Sequence, residues 1–161
     1  MASAGRPRRV LIVVQNLPVP FDRRVWLEAT TLARAGYRVS VICPKAKGFT
    51  RSFEVLEDVH IYRYALPVDA KGAMGFVAEF MWCFVRTAMK SIRVTVTGRG
   101  FDVLHVCNPP ETYWPLGRFW KLFGKRFLFD HHDLSPEMYE AKFGSTGGPV
   151  VSGLRYLERT T

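Results

Sequence analysis

The sequence predicts an α/β fold: a Rossmann-like, open, mostly parallel sheet with helices on both faces. Two observations carry this expectation. Residues 9–14 (RVLIVV) and 102–107 (DVLHVC) are apolar runs without clean alternation, as strands buried on both faces should be. Helical patterns alternate with these and other strand-like runs, which is how a parallel sheet reads along the chain. The length, 161 residues with 48% hydrophobic and 23% charged, fits one domain with a real core.

The elements follow in order. After the first strand, Asp22 is placed to cap a helix over 23–35. Val25, Ala29, Leu32 and Gly36 keep the i, i+4, i+7 spacing of one helical face, and Gly36 suits the stop. Residues 37–43 (YRVSVIC) form a second strand, ended by Pro44. Strand, helix and strand make one right-handed βαβ unit. Residues 45–59 read as polar and irregular, and 59–64 (VHIYRY) as a strand. An apolar helix is expected over 76–94, a strand at 102–107, a short helix over 112–123 and a strand at 126–130. Ser135, Pro136 and Glu137 suit the opening of another helix, GSTGGP is a linker, and a last helical pattern starts in VVSGLRYLERTT.

Several function classes are disfavoured. The apolar run after the basic N-terminus stops at Gln15 and Asn16, too soon for the core of a signal peptide. Glu79 and Arg86 interrupt the most membrane-like stretch, which falls short of the ~20 apolar residues of a spanning helix. That stretch fits a buried helix or an amphipathic one lying on a bilayer. Cys43, Cys83 and Cys107 form no CxxC pair, so free thiols in a reducing, cytoplasmic compartment are expected. The first βα turn, NLPVPFDRR, has no glycine for close approach to a dinucleotide pyrophosphate, and GSTGGP lacks the Lys-Ser/Thr ending of a P-loop. A net charge of +9 and a pI near 9.8 invite nucleic acid, but the basic residues are spread along the chain and carry no recognisable motif. No nucleic-acid partner is expected.

Ligands of such sheets bind beyond the carboxyl ends of the strands. That rule selects 15–24, 108–113 and 131–137. Arg23 and Arg24 stand at a helix N-terminus, where cations are electrostatically unfavourable. They read as an anion clamp or as two solvent-facing cations. His131 and His132 face opposite sides of a strand and so cannot easily share a metal; no metal site is expected. Either could serve as a hydrogen-bonding or acid/base group in the crevice, or be structural. Asn16 is a turn or ligand residue, Asn108 leans to a turn before two prolines, and Glu137 is a first-turn carboxylate or part of the crevice wall. His60 and His105 lie inside strand patterns and read as structural.

These residues carry a resemblance. QNLPVPFDRRVWLEATTLARAGYRVSVICP, DVLHVCNPPETYWPLG and FLFDHHDLSPEMYEAKFG resemble the N-terminal domain of bacterial glycosyltransferases of family 4, the retaining GT-B class. The resemblance covers essentially the whole chain. It implies one acceptor-side domain over 1–161, incomplete at its C-terminus, with the donor-binding C-terminal domain and its E-x7-E glutamate pair outside this sequence. It implies transfer of a sugar from a nucleotide-sugar donor to a saccharide or lipid-linked acceptor in cell-surface polysaccharide or glycolipid synthesis. No tightly bound cofactor is implied; the donor is a co-substrate held mainly by the other domain, in cis or in trans. By position in the motif, His132 is the expected catalytic histidine and His131 the fallback. Asn16, Asp22, Arg23, Arg24, Asn108, Asp133 and Glu137 are the expected substrate-binding set. Alone, the chain is expected to be inactive. Peripheral contact with the anionic inner face of the membrane is expected through the helix bearing Arg86, Lys90 and Arg93. The competing expectation is a catalytically inactive binding module, a truncated remnant.

Overall fold

In the computed structural model, the described residues are 8–67, 72–131, 152–153 and 155–156. The elements are β1 (Arg9–Val13), α1 (Arg23–Arg34), β2 (Arg38–Pro44), β3 (Phe53–Leu56), β4 (Val59–Tyr64), α2 (Gly72–Val96), β5 (Val103–Cys107), a 3₁₀ turn (Glu111–Tyr113), α3 (Trp114–Lys121) and β6 (Arg126–Asp130). They build one six-stranded sheet in the order β3-β4-β2-β1-β5-β6. Every pairing is parallel except β3 with β4.

The helices start and stop for local reasons. Asp22 caps α1: its Oδ1 accepts from the Val25 N–H at 3.1 Å, an interaction of about 1 kcal/mol. Gly36 takes φ +85° just past the helix, a conformation costly for a residue with a Cβ. α1 buries Val25 and Ala29 against Val10, Ile12, Val39 and Val41 on one face of the sheet. α2 and α3 cover the other face, where Cys83, Val94, Leu116 and Trp120 pack with Leu11, Val13, Ile42 and Leu104. Because β1 lies between β2 and β5 and the helices change face there, the chain has its topological switch point beyond β1 and β5.

The sequence expectations need three corrections. The stretch read as irregular, 45–59, contains β3, which pairs with β4 through a tight turn at Glu57 and Asp58, both at positive φ. α2 starts earlier than 76, at Gly72. α2 is also neither wholly buried nor wholly exposed: Cys83, Thr87, Ser91 and Val94 are buried, while Met81, Val85, Met89 and Ile92 face outward. Among the described residues, no helix is long and apolar enough to cross a membrane.

Candidate functional site

The carboxyl ends of β1, β5 and β6 bring the first loop, the Asn108-Pro109-Pro110 turn and His131 to one edge of the sheet. Arg24 projects from the first turn of α1, and its guanidinium pairs with the Asp130 carboxylate at the end of β6. Burial weighs against the Arg24 charge, but the hydrogen bond to Asp130 and the fields of nearby acidic groups outweigh it and raise the pKa. The cation at the helix N-terminus is therefore matched by an acid from the opposite side of the crevice. Arg23 is exposed, makes no ion pair among the described residues, and lines an open groove of about 560 Å³ running along α1 to Arg34 and Glu57.

The other expected residues separate by role. Asn16 is exposed in the first loop. Asp22 serves as the α1 cap. Asn108 is buried; its backbone N–H donates to the Asp130 carbonyl at 3.1 Å and its side-chain amide reaches Glu111 at 3.5 Å, so it shapes the turn. His131 is exposed, its ring stacked on Phe129 with centroids 6.0 Å apart. His132, Asp133 and Glu137 lie outside the described residues.

Three buried networks lie beneath this edge, and their pairings were not read from the sequence. Tyr113 donates to Gln15 Oε1 at 2.8 Å across the switch point, leaving its oxygen to accept from Thr87 at 3.3 Å. Burial pushes the Tyr113 phenol well above its usual pKa, so it stays a donor. Arg63, fully buried on β4, pairs with Glu54 at 2.5 Å and donates to the Val19 carbonyl of the first loop, pinning that loop to the sheet. His105, on β5, pairs through Nδ1 with Glu28 of α1 at 2.8 Å. The sequence expectation for His105 was a structural role; the signal for Glu28 was available, since it stands one helical turn after Arg24. Cys107, two residues along β5, is buried on the same strand face, and burial pushes its thiol up to about 12. The thiols of Cys43, Cys83 and Cys107 are all free and buried.

A mostly parallel, open α/β sheet with a capped helix N-terminus and an Arg–Asp pair across its switch point is of the Rossmann-like class. Residues 22–161 match the glycosyl transferase 4-like domain, and the chain belongs to that family. Two solved structures share the fold at 15% identity. Sucrose-phosphate synthase from Thermosynechococcus elongatus aligns over 92% of this chain with a TM-score of 0.59. This chain spans 39% of that protein's length. The C-terminal domain of a hydrogenase from Pyrococcus furiosus aligns over 77% of this chain and 92% of its own, with a TM-score of 0.58. No curated protein matches the chain.

Proposed function

We propose that this chain is the acceptor-side part of a glycosyltransferase that moves a sugar from a nucleotide-sugar donor to a saccharide or lipid-linked acceptor. The observation that supports it most is the Arg24–Asp130 pair. It ties the N-terminus of α1 to the end of β6 and so holds the first loop against the strand that leads into His131 and His132. Arg23, exposed beside that pair and without an ion pair among the described residues, is the cation for an acceptor phosphate or carboxylate. His132, or His131 from the neighbouring position, hydrogen-bonds the transferred sugar as positive charge builds on it, a preorganised contact that lowers the barrier. The donor's diphosphate is held mainly by a second domain. Asn16, Asp133 and Glu137 are the further residues assigned to acceptor binding.

The test uses the chain together with its donor-binding half, in cis or supplied in trans. Transfer is followed from radiolabelled nucleotide sugars to membrane-extracted acceptors. His132→Ala should lose at least about 100-fold in kcat, and Arg23→Ala should weaken an acceptor bearing phosphate but not its dephosphorylated form. Turnover unchanged in both variants would overturn the assignment. Binding without turnover in the complete assembly would favour an inactive module.

A lipid-proximal acceptor is supported by a second feature. α2 exposes Val77, Met81, Val85, Met89 and Ile92 as one apolar band. Arg86, Lys90 and Arg93 flank it on α2, and Arg118 and Lys121 follow on α3. Burial, with the fields of Arg86, Arg93 and Lys45, lowers the Lys90 pKa, so a counter-charge from outside the chain would favour its charged form. An anionic bilayer supplies both the apolar medium and that counter-charge, at about 1 kcal/mol per basic residue near the surface. Flotation with phosphatidylglycerol vesicles but not with phosphatidylcholine vesicles is the expected result; equal flotation with both would remove the contact.

A further inference from the structure

On the α1 side of the sheet, four side chains of metal-ligating chemistry converge. His105 and Cys107 share one face of β5, Asp130 stands beside Cys107 in the β5–β6 register, and Glu28 reaches down from α1. One donor atom from each lies within 4.8 Å of the others. His105 is 4% exposed, and its Nε2 finds no hydrogen-bond partner among the described residues. A buried ring nitrogen without a partner is uncommon. Beside the cluster is a cavity of about 370 Å³ lined by Glu28, His105, Leu128, Phe129, Asp130 and His131.

We propose that Glu28, His105, Cys107 and Asp130 form a binding site for a divalent transition metal of the zinc class, bridging α1 to β5 and β6 beneath the crevice. The donor set decides the class. A thiolate and an imidazole favour zinc or cobalt over magnesium or calcium, which prefer all-oxygen ligands. Tetrahedral zinc holds its ligand atoms roughly 3.5 Å apart, so the cluster must contract by about 1 Å, within reach of the Glu28 and Asp130 side-chain torsions. The sequence expectation was that the chain holds no metal; it was argued from His131 and His132, and this proposal departs from it with other residues.

Arg24 is the built-in competitor. Its guanidinium holds Asp130, so a metal must displace it and bind near its charge. Removing that charge should tighten metal binding, whereas a merely structural polar cluster would gain nothing. The site does not depend on sugar transfer, and its test reads metal directly.

The experiment is a Co²⁺ titration of the tag-free full chain, followed by zinc displacement against a chromogenic chelator. The expected result is one equivalent of cobalt with a thiolate-to-metal charge-transfer band. Cys107→Ser should abolish the band and Cys43→Ser should keep it. His105→Gln should weaken binding at least tenfold and Arg24→Gln should tighten it at least threefold, with circular dichroism confirming that each variant is folded. Should Cys107→Ser fail to fold, Glu28→Gln provides the same loss of affinity with the thiol intact. Absence of stoichiometric binding, a band that survives Cys107→Ser, or unchanged affinity in Arg24→Gln would each overturn the site.

Discussion

The two faces of the sheet are held by different means. α1 lies on its face through Val25 and Ala29, with Trp26 and Leu32 beside them, and through two polar contacts to the sheet, the Arg24–Asp130 ion pair and the Glu28–His105 contact. α2 and α3 lie on theirs through large residues: Trp120 packs edge-on to Phe101 at 4.9 Å, and Phe84 stacks with Tyr113 at 5.8 Å. On the α1 face polar side chains reach the strand ends, so this face can carry chemistry. On the other face α3 comes close as well, with Gly117 against the Phe127 ring, and α2 leaves apolar side chains outside. One face is built for a site, and the other for bulk packing and an outer contact.

Truncation should therefore hurt most on the aromatic face. Trp120 is 5% exposed, and its indole N–H donates to Ser91 at 3.0 Å. Trp120→Ala should cost about 3–5 kcal/mol in urea unfolding, from lost burial and the cavity left behind. A loss below about 1 kcal/mol would mean that α3 repacks freely. On the α1 face enlargement is the sharper probe. Ala29 is fully buried against the sheet, and Ala29→Leu should destabilise by about 1–3 kcal/mol. The same change should also disturb the Arg24 and Glu28 pairs by lifting the helix, which a chemical-shift map of Asp130 and His105 would report.

The contrast also explains what the sequence could reveal. α1 was legible because its cap, its stripe and its terminal glycine agree on one answer. β6 was read at its observed bounds because RFLFD is short, apolar and bounded by turn residues. β3 escaped because its hairpin turns on Glu57 and Asp58, at φ 43° and 63°, without the glycine or asparagine that announces such a turn. The site was half legible. Arg24 breaks a local electrostatic rule and so stood out, but the acid that answers it lies 106 residues away, a distance no local pattern spans. Asp22 was read as both a cap and a binding residue; the structure accounts for it as the cap. Gln15, Tyr113 and Thr87 meet only through tertiary packing and break no local rule that would mark them.

The Arg24–Asp130 pair should contribute little to stability despite its position. Its side chains are 41% and 31% exposed, and a double-mutant cycle should give a coupling of about 0.2–1 kcal/mol. Its effect should appear instead in ligand or metal binding. A coupling above about 2 kcal/mol would recast it as a structural clamp, and would make the α1 face as dependent on ion pairs as the other is on aromatics.

The smallest effect comes from the opposite edge of the sheet, where Arg9 pairs with Asp102 at 2.7 Å between the amino ends of β1 and β5. The Arg9 hydrogen bond, working against a smaller desolvation effect, holds the Asp102 carboxyl below its usual pKa. A carboxyl whose folded pKa lies below its unfolded value adds stability above the unfolded pKa, and loses it as pH falls through the folded one. The contribution should be present at pH 7 and fade below about pH 4. Asp102 is 42% exposed, so solvent screening limits it to a few tenths of a kcal/mol. Asp102→Asn should therefore lie slightly below the parent in stability at pH 7 and meet it near pH 2, in paired urea titrations. A gap that persisted unchanged in acid would show that geometry rather than charge holds this edge. The contrast between the ion-paired α1 face and the packed α2 and α3 face would then rest on Arg24 and Glu28 alone.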